Sequence, residues 1–133
     1  MNFFKKWKKI REPTEQYAEV FDEALALQSV GGDREFLTEV VGLIQAAWPT
    51  LLADIQEAMD RQDLRAVETS ARLAKAAARY VSARRACESA LQLEMMAGKG
   101  DFQAALKASA NLEQEAEILQ LALSTLGTSG YSA

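Results

Sequence analysis

The sequence predicts an all-α protein: an antiparallel up-down four-helix bundle preceded by one or two short N-terminal helices. Its 133 residues are 49% hydrophobic and 26% charged, a globular composition of a length typical of one domain with one core. Apolar residues recur at helical spacing, and only Pro13 and Pro49 could interrupt helices. Short links between the predicted helices favour antiparallel neighbours.

Residues 1–13 form a basic amphipathic segment ahead of the predicted bundle. Residues 1–11 carry five cations and no acid. The apolar residues of this segment fall at helical spacing; they are Phe3, Phe4, Trp7 and Ile10. Such a pattern is typical of a helix that binds a membrane surface or a partner. We favour the alternative that the aromatic residues pack on the bundle and the lysines are solvated, because one short segment rarely anchors a protein to a bilayer alone.

The predicted bundle occupies residues 14–126, and residues 127–133 read as a flexible tail. A short helix is predicted over 15–28, and a long one runs from 34 to a turn at 62–63. Three further helices are predicted over 64–80, 83–97 and 102–126. Four residues can cap these helices at their N-termini, namely Thr14, Asp33, Asp63 and Asp101. In the predicted helix 83–97, either Leu93 or Leu91 faces the core of the bundle. Pro49 lies inside the long helix and removes the hydrogen bond to the carbonyl of Gln45, so we predict a kink rather than a stop.

The helix 64–80 carries two stripes. Small apolar residues recur at spacings of four and three and define one narrow seam: Val67, Ala71, Ala74, Ala78 and Val81. Three cations form a second stripe beside it, Arg72, Lys75 and Arg79. This arrangement predicts a helix that packs through small residues and offers cations to an anionic partner. The simpler interpretation is that the three cations are exposed to water and bind no partner.

The composition excludes several kinds of chemistry. The chain has no histidine and one cysteine, Cys87, which argues against zinc, haem, histidine acid–base catalysis and a disulfide framework. No glycine-rich phosphate loop occurs, and Ser70 and Lys75 lie on different sides of their helix. We therefore predict no enzymatic activity, no metal and no cofactor. Beyond residue 11 acids outnumber bases, which disfavours nucleic acid. With no run of eighteen apolar residues and no secretory signal, a cytoplasmic location is expected.

Several of these features together resemble the histidine-containing phosphotransfer (HPt) domains of bacterial phosphorelays. They are Asp22, Gly31-Gly32-Asp33, the long helix with Pro49, Asp63, Leu93-Glu94 and Gly100-Asp101. The likeness covers about residues 20–126. Family members carry an Ala-His-x-Leu-Lys-Gly segment followed by a Gly-Ala pair, and Ala71–Ala78 and Ser82-Ala83 fall on them. Lys75 matches the family lysine. Ala76 replaces the family glycine, and its methyl group narrows the space in which a receiver domain can approach this helix.

Arg72 falls at the position of the phosphorylated histidine. Arginine is always protonated at neutral pH and offers no nucleophilic lone pair, so phosphoryl relay is not expected. The resemblance implies an HPt-like fold and a docking surface of Arg72, Lys75 and Arg79 for a receiver domain or a sensor kinase. The sequence thus predicts a non-catalytic signalling adaptor. The alternative is a structural or membrane-associated bundle that acts through residues 3–10.

Overall fold

The computed structural model describes residues 13–125, with side chains from residue 17 onward, and this range is helical with no strand. The predictions for Phe3, Phe4, Trp7, Ile10 and the tail 127–133 lie outside the described residues. The helices of the described range are α1 Pro13–Val20, α2 Glu23–Ser29, α3 Arg34–Asp60, α4 Leu64–Tyr80, α5 Arg84–Gly98 and α6 Phe102–Thr125. The all-α prediction is therefore confirmed.

The stretch 15–28, predicted as one helix, is divided into α1 and α2 by Phe21 and Asp22. Asp22 starts α2 as its N-cap, since its carboxylate accepts a hydrogen bond from the backbone N–H of Leu25 at 3.0 Å. The N–H of Asp22 donates to the carbonyl of Ser82 at 3.1 Å. Phe21 is fully buried. The break therefore holds the short N-terminal helices against the α4–α5 turn.

The aspartate caps predicted for the longer helices are confirmed. Asp33, Asp63 and Asp101 each accept a hydrogen bond from the backbone N–H three residues later, at 3.0, 3.1 and 3.0 Å. Helix α5 begins differently, because its N-cap is Ala83 and no side chain caps it. The preceding Ser82 has a positive φ of 54°, which turns the chain out of α4.

Helices that are consecutive in the chain pack side by side from α3 to α6, and α3 also contacts α6. Helix α1 packs on α5 and α6. One stripe of each long helix is buried. The buried apolar residues include Leu37, Val41, Trp48, Ile55 and Met59 of α3, Val67, Ala71, Ala74 and Ala78 of α4, Ala86, Ala90 and Leu93 of α5, and Leu112, Ala116, Leu119 and Leu123 of α6. The core is thus rich in alanine at α4 and α5 and in leucine at α6.

Helix α3 continues through Pro49, as predicted. Proline has no N–H, so the carbonyl of Gln45 loses its partner within the helix. The side chain of Gln120 on α6 replaces that partner, because its Nε2 donates to the Gln45 carbonyl at 3.2 Å. An interhelical hydrogen bond therefore compensates for the proline.

This compensation predicts an energetic coupling between Gln120 and Pro49. We expect Gln120→Leu to cost about 1 kcal/mol more in the natural chain than in a Pro49→Ala background, because alanine in place of the proline restores a backbone donor to the carbonyl of Gln45. Denaturant unfolding of the four proteins measures the difference. Gln114→Leu, at an exposed position of the same helix, is the matched control. An equal cost in both backgrounds would contradict the compensation.

Helix α3 is also the one helix in the described range that is long and apolar enough to cross a membrane. Its most apolar window has a mean hydropathy of 1.4, and 17% of that window is buried. The core helix of a soluble protein and a signal sequence meet the same criteria. The apolar character of this helix therefore does not decide the location of the protein, and the cytoplasmic location stays a prediction.

Candidate functional site

The solvent side of α4 is a mixed cationic and apolar surface, which we call the α4 face. Its exposed members recur at helical spacing and are Thr69, Arg72, Leu73, Ala76, Arg79 and Tyr80. Leu73 is 56% exposed and Tyr80 67% exposed, although both are large. The opposite side of α4 is filled by small buried residues. Packing through that side leaves the large residues in water.

Two of the three predicted docking cations converge on one carboxylate of the neighbouring helix α5. Glu94 accepts a hydrogen bond from Arg72 Nε at 2.9 Å and another from Lys75 Nζ at 2.7 Å. A weaker ion pair joins Arg72 to Glu68 at 3.8 Å. The Glu94 side chain is 13% exposed, so the two cations cover much of it. We call Arg72, Lys75 and Glu94 the ion triad.

The ion triad lowers the pKa of Glu94 below its ordinary value. The hydrogen bond from Lys75 is the largest cause, burial acts in the opposite direction, and the hydrogen bond from Arg72 then adds to the lowering. Glu94 is therefore ionised at neutral pH. Its charge offsets one of the two cations, and less positive charge is offered to a partner than the sequence stripe suggests.

Alanines bring the members of the ion triad together. Ala71, Ala74 and Ala78 on α4 are fully buried, as is Ala90 on α5. Small side chains at a helix contact allow a short interaxial distance. Glu94 follows the buried Leu93 directly and lies at the edge of this contact, within reach of the cations of α4. The seam predicted for α4 thus positions the triad.

Arg79 differs from the other two cations. Its side chain is exposed and makes no ion pair with any residue in the range 17–125. It lines a cleft of about 700 Å³ between the N-terminal helices and the start of α5. The charged residues of this cleft are Glu19, Asp22, Arg79, Arg84 and Glu88. The structure therefore joins Arg72 and Lys75 through Glu94, and it leaves Arg79 without an ion pair among residues 17–125.

Other polar contacts of the helices are structural. Arg85 on α5 forms a two-pronged pair with Glu115 on α6, at 2.9 and 2.7 Å. Arg84 on α5 pairs with Glu19 on α1 at 2.9 Å. Cys87 is half-buried and lines the cleft. Within the described part of the chain, no three metal-ligating side chains gather into a group.

The spacing of residues in the sequence does not predict that Glu94 belongs to this site and binds both cations. The separations between Glu94 and the cations are 22 and 19 residues, so no local pattern joins them. The available signal was a carboxylate immediately after an inward-facing leucine. That signal does not identify the partners of Glu94.

Comparisons with known proteins find no relative for this chain. No protein-family model matches it, and neither a curated protein nor a solved structure does. The resemblance to HPt domains therefore depends on the residues named above.

Proposed function

We propose that this chain is a non-phosphorylatable, HPt-like signalling adaptor that binds a receiver domain or a sensor kinase without transferring phosphate. In this proposal the helices α3 to α6 form an antiparallel four-helix bundle. The sequential packing of these helices, together with the contact between α3 and α6, supports that architecture. The absence of transfer follows from arginine at position 72.

The observation that carries the proposal is the α4 face. Tyrosine and arginine are among the residue types that dominate the centres of protein interfaces. The exposed Leu73 adds apolar surface beside them. Leu73 and Tyr80 lie seven residues apart, two helical turns along one surface, with the small Ala76 between them. A partner that packs over Ala76 can therefore bury both large side chains.

Charge supports an acidic partner. Arg79 has no ion pair within residues 17–125 and supplies one positive charge, whereas Glu94 and Glu68 together offset the charges of Arg72 and Lys75. The phosphorylation pocket of a receiver domain is acidic, as the family resemblance implies. Opposite charges speed association and fix orientation, whereas apolar burial supplies most of the affinity.

Calorimetry with receiver domains encoded near this gene tests the proposal. We expect one of them to bind, and Arg79→Glu to weaken that binding about tenfold, equivalent to about 1.4 kcal/mol. Tyr80→Ala is expected to weaken it by a similar factor. Lys107→Glu makes the same charge change at an exposed position of α6 and is the matched control.

Arg79 is a better test position than Arg72, because a change at Arg72 would also disturb the ion triad. Incubation with a phosphorylated receiver is expected to leave this chain unlabelled. The proposal fails if neither a receiver domain nor a sensor kinase encoded nearby binds, or if Arg79→Glu and Lys107→Glu weaken binding equally. Stable labelling of the chain would contradict the non-transfer role.

A further inference from the structure

The N-terminal half of α3 exposes a second apolar surface, separate from the α4 face. Its members are Phe36, Val40, Leu43 and Ala47, which we call the α3 seam. They follow one another at spacings of four, three and four residues, the pattern of a helix surface that packs against another helix. Phe36 is 49% exposed and Leu43 71% exposed, whereas Val40 and Ala47 are half-buried. The buried stripe of α3 lies beside the seam.

The charges of α3 restrict what can cover this seam. The helix contains five acids and one base, Arg34. Glu35 and Glu39 lie within the same turns as Phe36 and Val40, and both are exposed. A second copy of α3 laid parallel on the seam would oppose Glu35 and Glu39 to their own copies, which is unfavourable. The complementary partner is apolar on one side and cationic on the other.

One stretch of this chain has that composition. Residues 3–11 carry four apolar residues at helical spacing and five cations with no acid. These residues lie outside the described range, which begins at Pro13. As a helix, residues 3–11 would span about 12 Å, and the seam from Phe36 to Ala47 spans about 16 Å. The segment therefore fits within the length of the seam.

We propose that residues 3–11 bind the α3 seam, with Phe3, Phe4, Trp7 and Ile10 on its apolar residues and lysines against Glu35 and Glu39. The binding covers apolar surface that would otherwise face water. It also assigns to the basic segment a site on the protein itself rather than on a membrane. None of the seam residues belongs to the α4 face, so this proposal and the adaptor function can fail separately.

Limited trypsin digestion of the full-length protein tests the proposal, since residues 5–11 contain five trypsin sites. Binding to the seam shields those sites. Leu43→Lys places a like charge in the seam and is expected to speed cleavage there about fivefold, because cleavage follows the population of the released segment. Leu121→Lys on α6 is the matched control, since Leu121 is 69% exposed and Leu43 71%. Mass spectrometry of timed samples identifies the cut sites.

A second variant, Glu39→Lys, keeps the test decisive if Leu43→Lys lowers the helix content measured by circular dichroism. It removes one acidic partner and is also expected to speed cleavage. Equal cleavage rates in the natural chain, Leu43→Lys and Glu39→Lys would overturn the proposal. So would shielding that appears only after anionic phosphatidylglycerol vesicles are added, because the segment would then bind membranes. A dimer that Leu43→Lys dissociates without changing cleavage would assign the seam to a second copy and also overturn it.

Discussion

Replacement of Leu93 with alanine is expected to lower the free energy of unfolding by about 2–5 kcal/mol. Leu93 is fully buried in α5, between helices α4 and α6, which both pack on α5. Truncation there removes apolar contacts and leaves a cavity in the core. Thermal and denaturant unfolding, followed by circular dichroism, measure the loss.

Leu91 provides the matched control for Leu93. It lies on the same helix two residues away, carries the same side chain and is 40% exposed. We expect Leu91→Ala to cost less than about 1 kcal/mol, because it creates no enclosed cavity. Comparable losses at the two positions would show that α5 is rotated relative to the packing described here.

Replacement of Glu94 with glutamine is expected to destabilise the protein by about 1–2 kcal/mol at neutral pH. The neutral amide can accept a hydrogen bond from one cation but cannot neutralise the positive charge of Arg72 and Lys75 together. The same substitution at Glu113, an exposed position of α6, should change the stability by less than about 0.5 kcal/mol. Denaturant unfolding of the three proteins at neutral pH gives these differences.

The effect of Glu94→Gln should depend on pH. The pKa of Glu94 is lower in the folded chain than its ordinary value, so the unfolded chain takes up the proton first as pH falls. The stabilisation by the ion triad is therefore complete above the ordinary glutamate pKa and is lost as pH falls through the lowered one. The stability gap between the natural chain and Glu94→Gln should shrink over that acidic interval. A gap that stays constant with pH would show that the charge of Glu94 contributes nothing.

Much of the helical structure could be predicted from local signals. Asp33, Asp63 and Asp101 mark helix starts because an aspartate side chain satisfies backbone N–H groups three residues away, a purely local interaction. The break at Phe21 was missed although Asp22 has the same capping chemistry. The apolar periodicity of residues 17–27 continues across the break and concealed it. The break between the two short helices is stabilised by the hydrogen bond from Asp22 to the carbonyl of Ser82, and Ser82 is distant in sequence.

The candidate site was predicted less completely, because it depends on contacts between helices. Spacing places Arg72, Lys75 and Arg79 on one side of α4, and that geometry is intrinsic to a helix. Spacing does not reveal that Glu94 binds the first two cations and leaves the third without a partner in the described range. The exposure of Leu73 and Tyr80 likewise depends on the direction in which the small-residue seam of α4 packs.

The hydrogen bond from Gln120 to the carbonyl of Gln45 has a consequence for the alignment of α6 along α3. Leucine and alanine recur along α6, so a slide of one helical turn would still place apolar residues against the core. The same slide would move the Gln120 amide about 5.4 Å from the carbonyl exposed by Pro49, and that carbonyl would lose its donor. Pro49 and Gln120 together therefore favour a single alignment of two helices whose apolar contacts alone would tolerate several.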